Sequence, residues 1–437
     1  MPKLCCQHYK SPKGVVSYQQ GLLMNAFTII FLIAVAISYA VEYWLARRQC
    51  AFVLAHRDAV PEAFRESITL EAHQKAADYT LAKGKLGEVD RVISLAVLLL
   101  FTLGGGIDWI AEFWMGFEWP TTLIGVAIIL STLMLIQLID LPISIYKTFD
   151  LEERFGFNRN TPKQFATDLL MQLGLTLAIG GPILALILWV MGAVGPYWWV
   201  WAWAILQSFS ILMSWAFPTF IAPLFNKFSP LEDASLRERI EALLGRCGFH
   251  SKGIFVMDGS RRSGHGNAYF TGIGNNKRIV FFDTLVNSLN HEELEAVLAH
   301  ELGHFKRKHV LKMLIASACI SLAGLGLLGW LMGQNWFYEG LGVSQQSNST
   351  ALLLFMLAFP AFTLFLQPTM AYFQRKFEFE ADDFAATHAH PRDLISALVK
   401  LYRDNASTLT PDPLYSAFHY SHPPAAIRIA NLETKAT

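Results

Sequence analysis

Long apolar runs alternate with polar stretches along the chain, and the runs have the length of helices rather than strands. Seven of them, near 22 to 45, 92 to 113, 120 to 146, 166 to 192, 197 to 224, 309 to 333 and 350 to 373, are long enough to span a membrane. A hydrocarbon core of ~30 Å takes about 20 helical residues. The first run is no secretory leader: its apolar part is too long, and it passes into Glu42, Tyr43 and Trp44 instead of a small-residue cleavage site. Orientation follows from Lys and Arg, which short cytoplasmic loops retain. The connections 114 to 119, 193 to 196 and 334 to 349 hold none, whereas 46 to 91, 147 to 165, 225 to 308 and the stretch after 374 are rich in them. The N-terminus is then expected outside and the C-terminus in the cytoplasm. Lys3, Lys10 and Lys13 oppose this placement, but Arg47, Arg48, Arg57, Arg65, Lys75, Lys83, Lys85 and Arg91 outnumber them across the first span.

Three polar pieces remain on the cytoplasmic side. Residues 46 to 91 read as polar helix, with few turn signals after Pro61. Residues 229 to 308 read as a small α/β unit: a helix from about Leu231 to Arg246, extended runs Gly253 to Met257, Ala268 to Thr271 and Arg278 to Phe282, then a helix from about His291. The third piece follows Gln374. The fold class is therefore a mainly α membrane protein with a small α/β unit on its cytoplasmic side. Residues 1–225 carry five spans and the loops 46–91 and 147–165; 226–308 form the soluble unit; 309–374 carry the last two spans; 375–437 are a cytoplasmic tail.

Composition agrees. Of 437 residues 53% are hydrophobic and 16% charged, against about 25% charged in an average soluble chain. Lys+Arg and Asp+Glu both number 35, so nothing global points to nucleic acid or to a disordered acidic chain. Cys5, Cys6, Cys50, Cys247 and Cys319 show no metal-type spacing and read as reduced and incidental. Trp198, Trp199, Trp201 and Trp203 read as interfacial anchors. Gly104 to Gly106, Gly180-Gly181, Pro218 and Pro223 read as packing and kink features.

The sharpest chemical signal is His300-Glu301-Leu302-Gly303-His304 in a helical pattern. Histidines at i and i+4 share one helix face and can hold one zinc ion, while the intervening Glu reaches a metal-bound water. Zinc brings that water's pKa toward about 7; Glu301 can take its proton and return it to the leaving amine. A peptidase is the leading reading, against a surface helix that carries His and Glu for solubility. The motif ends in Lys306, Arg307, Lys308 and His309, at the membrane surface just before the sixth span.

A catalytic zinc needs a third protein ligand and an open position. The run Phe377 to Ala385 offers Glu378 and Asp382, four apart on a helix, so that one carboxylate can bind metal while the other holds a histidine ring from behind. Glu380 and Asp383 read as a solvated acidic face. A last cluster, His419-Tyr420-Ser421-His422-Pro423-Pro424 with Arg428, can supply donors to a developing oxyanion, and reads equally well as a polar turn closed by two prolines.

These clusters, in this order among seven spans, resemble the type I CAAX prenyl endopeptidases, integral membrane zinc proteases related to the a-factor-converting enzyme. Further matching strings are Phe155-Gly156-Phe157-Asn158, Ala222-Pro223-Leu224-Phe225-Asn226-Lys227-Phe228 and Ser263 to Phe270. The resemblance implies zinc held by His300, His304 and Glu378, Glu301 as general base, and Asp382 behind a ligand. It also implies Asn267 and Ala268 on a strand edge that pairs with substrate, and His422 and Arg428 near the oxyanion. Seven helices enclosing an intramembrane chamber, and removal of aaX from a prenylated C-terminal CAAX sequence, are implied too. The partners expected are a peptide or prenylated protein and membrane lipid, with no nucleic acid and a monomer as the simplest state. A short connection at Gln334 to Thr350 and no retention signal in Glu433 to Thr437 favour a bacterial inner-membrane member, with the endoplasmic reticulum membrane as the eukaryotic counterpart.

Three rival readings share parts of this pattern. A membrane quality-control zinc protease shares HExxH and the Glu-xxx-Asp helix but usually has fewer spans. A site-2-type intramembrane protease would place HExxH inside a span, which this chain does not. A transporter or scaffold buries charge at mid-span; here Asp140 and Lys312 lie near span ends.

Overall fold

The computed structural model describes residues 25–249, 253–271 and 278–436, and is mainly helical. Lys3, Lys10, Lys13, Cys5 and Cys6 lie outside the described residues. Cys50, Cys247 and Cys319 are free thiols.

Among the described residues, five unbroken helices are long and apolar enough to cross a membrane: Ala26–Ala55, Thr121–Glu152, Pro162–Ala193, Trp198–Phe225 and His309–Leu331. Two bent pairs bring the number to seven: Leu70–Phe101 with Gly106–Met115, at 51°, and Asn348–Phe362 with Leu366–His388, at 71°. The second and seventh spans are therefore broken, where the sequence reading drew single runs. In the second the break falls at the glycine run, with Gly105 at φ +76°, a left-handed conformation that glycine adopts without strain. In the seventh it follows Pro360. The fourth and fifth spans loosen into π-helix at Thr176–Gly180, next to Gly181, and at Phe217–Ile221, which contains Pro218.

Residues 46 to 91 are not one polar helix. The first span runs on to Ala55, a short turn at Glu62–Phe64 follows, and the second helix starts at Leu70, capped by the Thr69 side chain. The tryptophans of the fifth span are mostly packed, not interfacial. Trp198 is buried, Trp203 Nε1 donates to Ala318 O at 2.8 Å, and Trp199 lies so close to Gly329 that a Cβ there would meet it at 3.0 Å. Trp201 alone of the four is exposed.

The α/β unit is a four-stranded sheet of order β1-β2-β4-β3: β1 Phe228–Pro230, β2 Ile254–Met257, β3 Ala268–Thr271 and β4 Arg278–Phe282. β1 was not foreseen, because three residues carry no alternation. β2 and β4 are parallel, and β3 lies antiparallel to β4 at the edge, with Ala268 opposite Phe281. Helix α1, Ala234–Cys247, and helix α2, His291–Lys306, pack on this sheet through Leu236, Ile240, Leu298 and Leu302, with Ile279 and Phe281 from β4. Arg262, between β2 and β3, grips Asp168 of the fourth span through Nε and Nη2 at 2.8 and 2.9 Å, which ties the unit to the bundle.

α2 begins with a capping box: Asn290 Oδ1 accepts from Glu293 N and Glu293 Oε2 from Asn290 N, both at 2.8 Å. The buried Glu293 carboxylate also accepts from Ser396 Oγ and Lys400 Nζ at 2.6 and 2.7 Å, anchoring α4, Pro391–Asp404. α3, Leu366–His388, is the second limb of the seventh span, so the stretch with Glu378 continues a membrane helix and is no separate tail. α5, Pro413–His419, and α6, Ala425–Ala436, close the chain.

The crossing of α2 and α3 is very close at Gly303. A Cβ at that position would stand 2.9 Å from Ala381 Cα and 3.1 Å from Ala381 O and Phe384 Cβ. Those are backbone atoms in the main, so the helices would have to separate. Gly303→Ala is expected to destabilise the protein by about 1–3 kcal/mol, as overpacking does, and to lower its metal content; an unchanged unfolding midpoint with full metal content would overturn the constraint.

Candidate metal centre

The crossing brings three side chains together. His300 Nε2 and His304 Nε2, one turn apart on α2, lie 3.2 Å from each other. Glu378 of α3 places Oε2 3.4 Å from His300 Nε2 and Oε1 3.3 Å from His304 Nε2. All three donor atoms fall within 4.8 Å of one another. Two imidazole nitrogens and a carboxylate converging on one point need a cation between them. The donor set fits zinc with one position left open, and Glu378 Oε2 is buried without a hydrogen bond.

Each histidine is held from behind. Asp382, fully buried, has Oδ1 2.9 Å from His300 Nδ1, which fixes the proton there and turns Nε2 toward the centre. Burial disfavours the charged form of His300, but the Asp382 and Glu378 carboxylates outweigh it and raise its pKa to about 9. Asp382 is held by Arg428, whose Nε and Nη2 donate to it at 2.9 and 2.6 Å while Nη1 stands 3.5 Å from Glu378 Oε2. Arg428 is thus engaged with two carboxylates, a narrower position than the free oxyanion donor expected from sequence. His422, mostly exposed, puts Nε2 3.4 Å from Glu378 Oε1 and Nδ1 2.8 Å from Ser421 Oγ. Glu301 is half-buried between the histidines on α2; burial pushes its carboxyl up, the neighbouring imidazoles pull it down, and the net direction is upward.

Behind His304 stands a pair that the sequence reading passed over. His304 Nδ1 is 3.1 Å from His309 Nδ1, and His309 Nε2 is 3.0 Å from Glu380 Oε2. His309 is buried and stacks on Phe377 at 4.3 Å. With His304 Nε2 facing the centre, its Nδ1–H donates to His309 Nδ1, and His309 Nε2–H donates to Glu380. Glu380 is therefore no solvated acid. Asp383 is also engaged, with Lys435 Nζ at 2.9 Å. The signal in the sequence was the spacing: Glu380 lies two residues after Glu378, and His309 five after His304, just past the end of α2.

Asn267 and Ala268 are found where the strand-edge expectation put them. Ala268 opens β3, and Asn267 O accepts from Phe282 N at 3.0 Å, extending the β3–β4 ladder by one residue. Among the described residues no strand pairs with the outer side of β3.

Residues 49–227 match the family described as CAAX prenyl protease N-terminal, five membrane helices, and residues 230–436 match peptidase family M48. CAAX prenyl protease 1 of Saccharomyces cerevisiae is 35% identical over 441 residues, covering 94% of this chain and 95% of that one. The chain belongs to the type I CAAX prenyl proteases of family M48. The Arabidopsis thaliana homologue is 34% identical over 91% of this chain and 95% of its own, and the human homologue 32% over 94% and 97%. The crystal structure of Ste24p from S. mikatae superposes with a TM-score of 0.87 at 33% identity, covering 93% of this chain and 99% of that one. As an M48 CAAX protease the protein is a multi-pass membrane metalloendopeptidase whose substrates are peptides or prenylated proteins.

Removing Glu378, as in Glu378→Ala, is expected to abolish zinc binding; full occupancy by metal analysis would refute its place as third ligand. His309→Ala and Glu380→Gln should each weaken zinc binding roughly 10- to 100-fold. Titration against a competing chelator reads this directly, and an affinity equal to that of the parent protein would rule the pair out as a support for His304.

Proposed function

We propose that the protein cuts the peptide bond after the prenylated cysteine of a C-terminal CAAX sequence, releasing aaX, with zinc held by His300, His304 and Glu378. The observation that carries this is the convergence of those three donors within 4.8 Å beside an open sheet edge. When bound, zinc polarises the scissile carbonyl and makes water acidic enough to be deprotonated near neutral pH.

The chain's own groups do the rest. The extended substrate lies along β3 and pairs with Asn267 and Ala268, which places its carbonyl against α2. Glu301 takes the proton of the attacking water on its carboxylate and passes it to the leaving nitrogen. Asp382 keeps the His300 ring in one orientation, and Arg428 keeps Asp382 there. His422, exposed beside Glu378, donates to the oxyanion.

The spans support a chamber in the membrane. In the five unbroken ones only 6–22% of the apolar window is buried, which leaves extensive apolar surface for lipid and for a chamber between the helices. The distribution of Lys and Arg supports a cytoplasmic placement of the α/β unit and the C-terminus, in a bacterial inner membrane or, for a eukaryotic source, the endoplasmic reticulum.

The test is cleavage of a farnesylated CAAX peptide by the detergent-purified protein, read by mass spectrometry beside its unprenylated twin. Intact aaX should appear, faster from the farnesylated peptide. Glu301→Gln should retain zinc and lose cleavage by roughly 10²- to 10⁴-fold, the worth of a general base. Normal turnover in that variant would sink the mechanism, and degradation of unfolded casein with both peptides intact would point to quality control.

A further inference from the structure

An edge strand turns its backbone groups alternately inward, to its neighbour, and outward. In β3 the phase is fixed where Phe282 N donates to Asn267 O at 3.0 Å. Asn267 and Tyr269 therefore face β4, and Gly266, Ala268 and Phe270 turn N–H and C=O outward. At Gly266 that outward side is already taken. Asn405 Oδ1 accepts from Gly266 N at 3.0 Å, and Asn405 Nδ2 donates to Gly266 O at 3.4 Å. One amide side chain thus occupies both groups, as a residue of a facing strand would. Ala268 N, the next outward donor, is met at 2.8 Å by the side-chain Oδ1 of Asn267, an acceptor that a substrate carbonyl can displace. The edge is closed at Gly266 and available from Ala268 onward.

Asn405 is held firmly in that place. It follows the last residue of α4, and the next residue, Ala406, is buried in a left-handed conformation, φ +43°, against Tyr79 and Phe157. A residue with a side chain keeps such a conformation only where its surroundings impose it. His265 Nδ1–H donates to the same Asn405 Oδ1 at 3.2 Å, and its ring stacks on Phe157 at 4.3 Å. Phe157 O accepts from Gly264 N at 2.9 Å, and Thr284 Oγ1 donates to His265 O at 3.0 Å. Through Ser396 and Lys400, α4 also holds Glu293 at the start of α2. One helix therefore joins the closed end of the edge to the helix that carries His300 and His304, and fixes the distance between them.

We infer that Asn405 is a stop for the substrate strand: by filling the outward groups of Gly266 it makes pairing begin at Ala268, and so sets which peptide bond reaches the metal centre. This rests on the proposed pairing of substrate with Asn267 and Ala268. Successive outward positions are two residues, about 6.5–7 Å, apart. Without the stop a peptide can slide by two residues onto Gly266 and keep every side chain on its own face, whereas a slide by one reverses all of them. The stop acts against one specific error, a cut displaced by two residues. Asn405 works through where the substrate lies, which makes it a positioning residue, and His265 is its support.

The test is the set of products from a farnesylated CAAX peptide and its unprenylated twin, read by mass spectrometry, with zinc content measured alongside. The parent protein is compared with Asn405→Ala, Asn405→Asp and His265→Phe. The parent should release aaX alone. Asn405→Ala should release aaX about tenfold or more slowly in kcat/KM, within the ~10²-fold that a small misplacement can cost. It should also give a second product cut two residues from the first, clearest in the twin, which has no lipid to fix its place. Asn405→Asp keeps the acceptor for Gly266 N and should restore the single cut. His265→Phe keeps the ring on Phe157 but frees Asn405, and should show the second product at a lower share. The ratio of the two products is internal to each variant, so a partly folded preparation does not create it. A single parental cut in both Asn405→Ala and His265→Phe, or in whichever of them folds, would overturn the stop while leaving the CAAX reading intact. Cuts scattered over many positions with zinc lost would also overturn it, as the mark of a general loosening. A parent that releases aaX from neither peptide would refute the CAAX reading itself, and the stop with it.

Discussion

Everything in the candidate centre depends on how near two helices can come at Gly303. Glutamate is short, and its carboxylate reaches imidazoles on a neighbouring helix only if the backbones almost touch. The missing Cβ of Gly303 against Ala381 supplies that approach, and Ala381 is itself one turn after Phe377 and three residues after Glu378. The same crossing puts Asp382 under His300 and Glu380 within reach of His309, so ligands and supports are set by one contact. A side chain at residue 303 acts on the metal through packing, with no polar atom involved.

The price of the arrangement is buried charge. Asp382, Glu378 and Arg428 are nearly solvent-free, and taking such groups out of water costs several kcal/mol each before pairing offsets it. The two carboxylates and two imidazoles outnumber the one guanidinium, so the balance closes only with a cation among the donors. Arg428 is better understood as the counter-ion that lets two acids sit a turn apart than as a free donor to substrate. His422, which stays exposed, is the group with a nitrogen to offer outward.

Much of this was legible in the sequence, and the failures have physical causes. Spans were found because about 20 apolar residues admit few other meanings, and β3, β4 and the start of α2 because short apolar extended runs and a helical pattern are local signals. The bend at Gly105 reads from sequence only as a kink within its span and the one after Pro360 was not foreseen, since hydropathy is blind to direction. β1 was missed as too short to show a period. Glu380 was misread because an acid on a helix face declares nothing about the helix opposite; its partner His309 lies 71 residues away in the chain.

The two ligand-bearing helices also fix the height of the centre relative to the membrane. His304 precedes the start of the sixth span, His309, by five residues, and Glu378 follows the apolar end of the seventh, near Phe373, by five. At 1.5 Å per residue each offset is about 7–8 Å. The seventh-span approach is continuous helix, whereas the sixth-span one turns at Lys308, φ +57°, so both histidines and Glu378 lie within a few residues of an apolar span end in sequence. Because α3 continues the second limb of the seventh span without interruption, that distance cannot relax independently of the membrane helices. A substrate whose scissile bond lies far from any apolar anchor would have to bring the bond to this plane at its own cost in chain entropy. Under the proposed CAAX reaction the scissile bond adjoins a lipid-bearing cysteine and would arrive with the bond already near that plane, so the position of the centre would favour such peptides beyond what its ligands do.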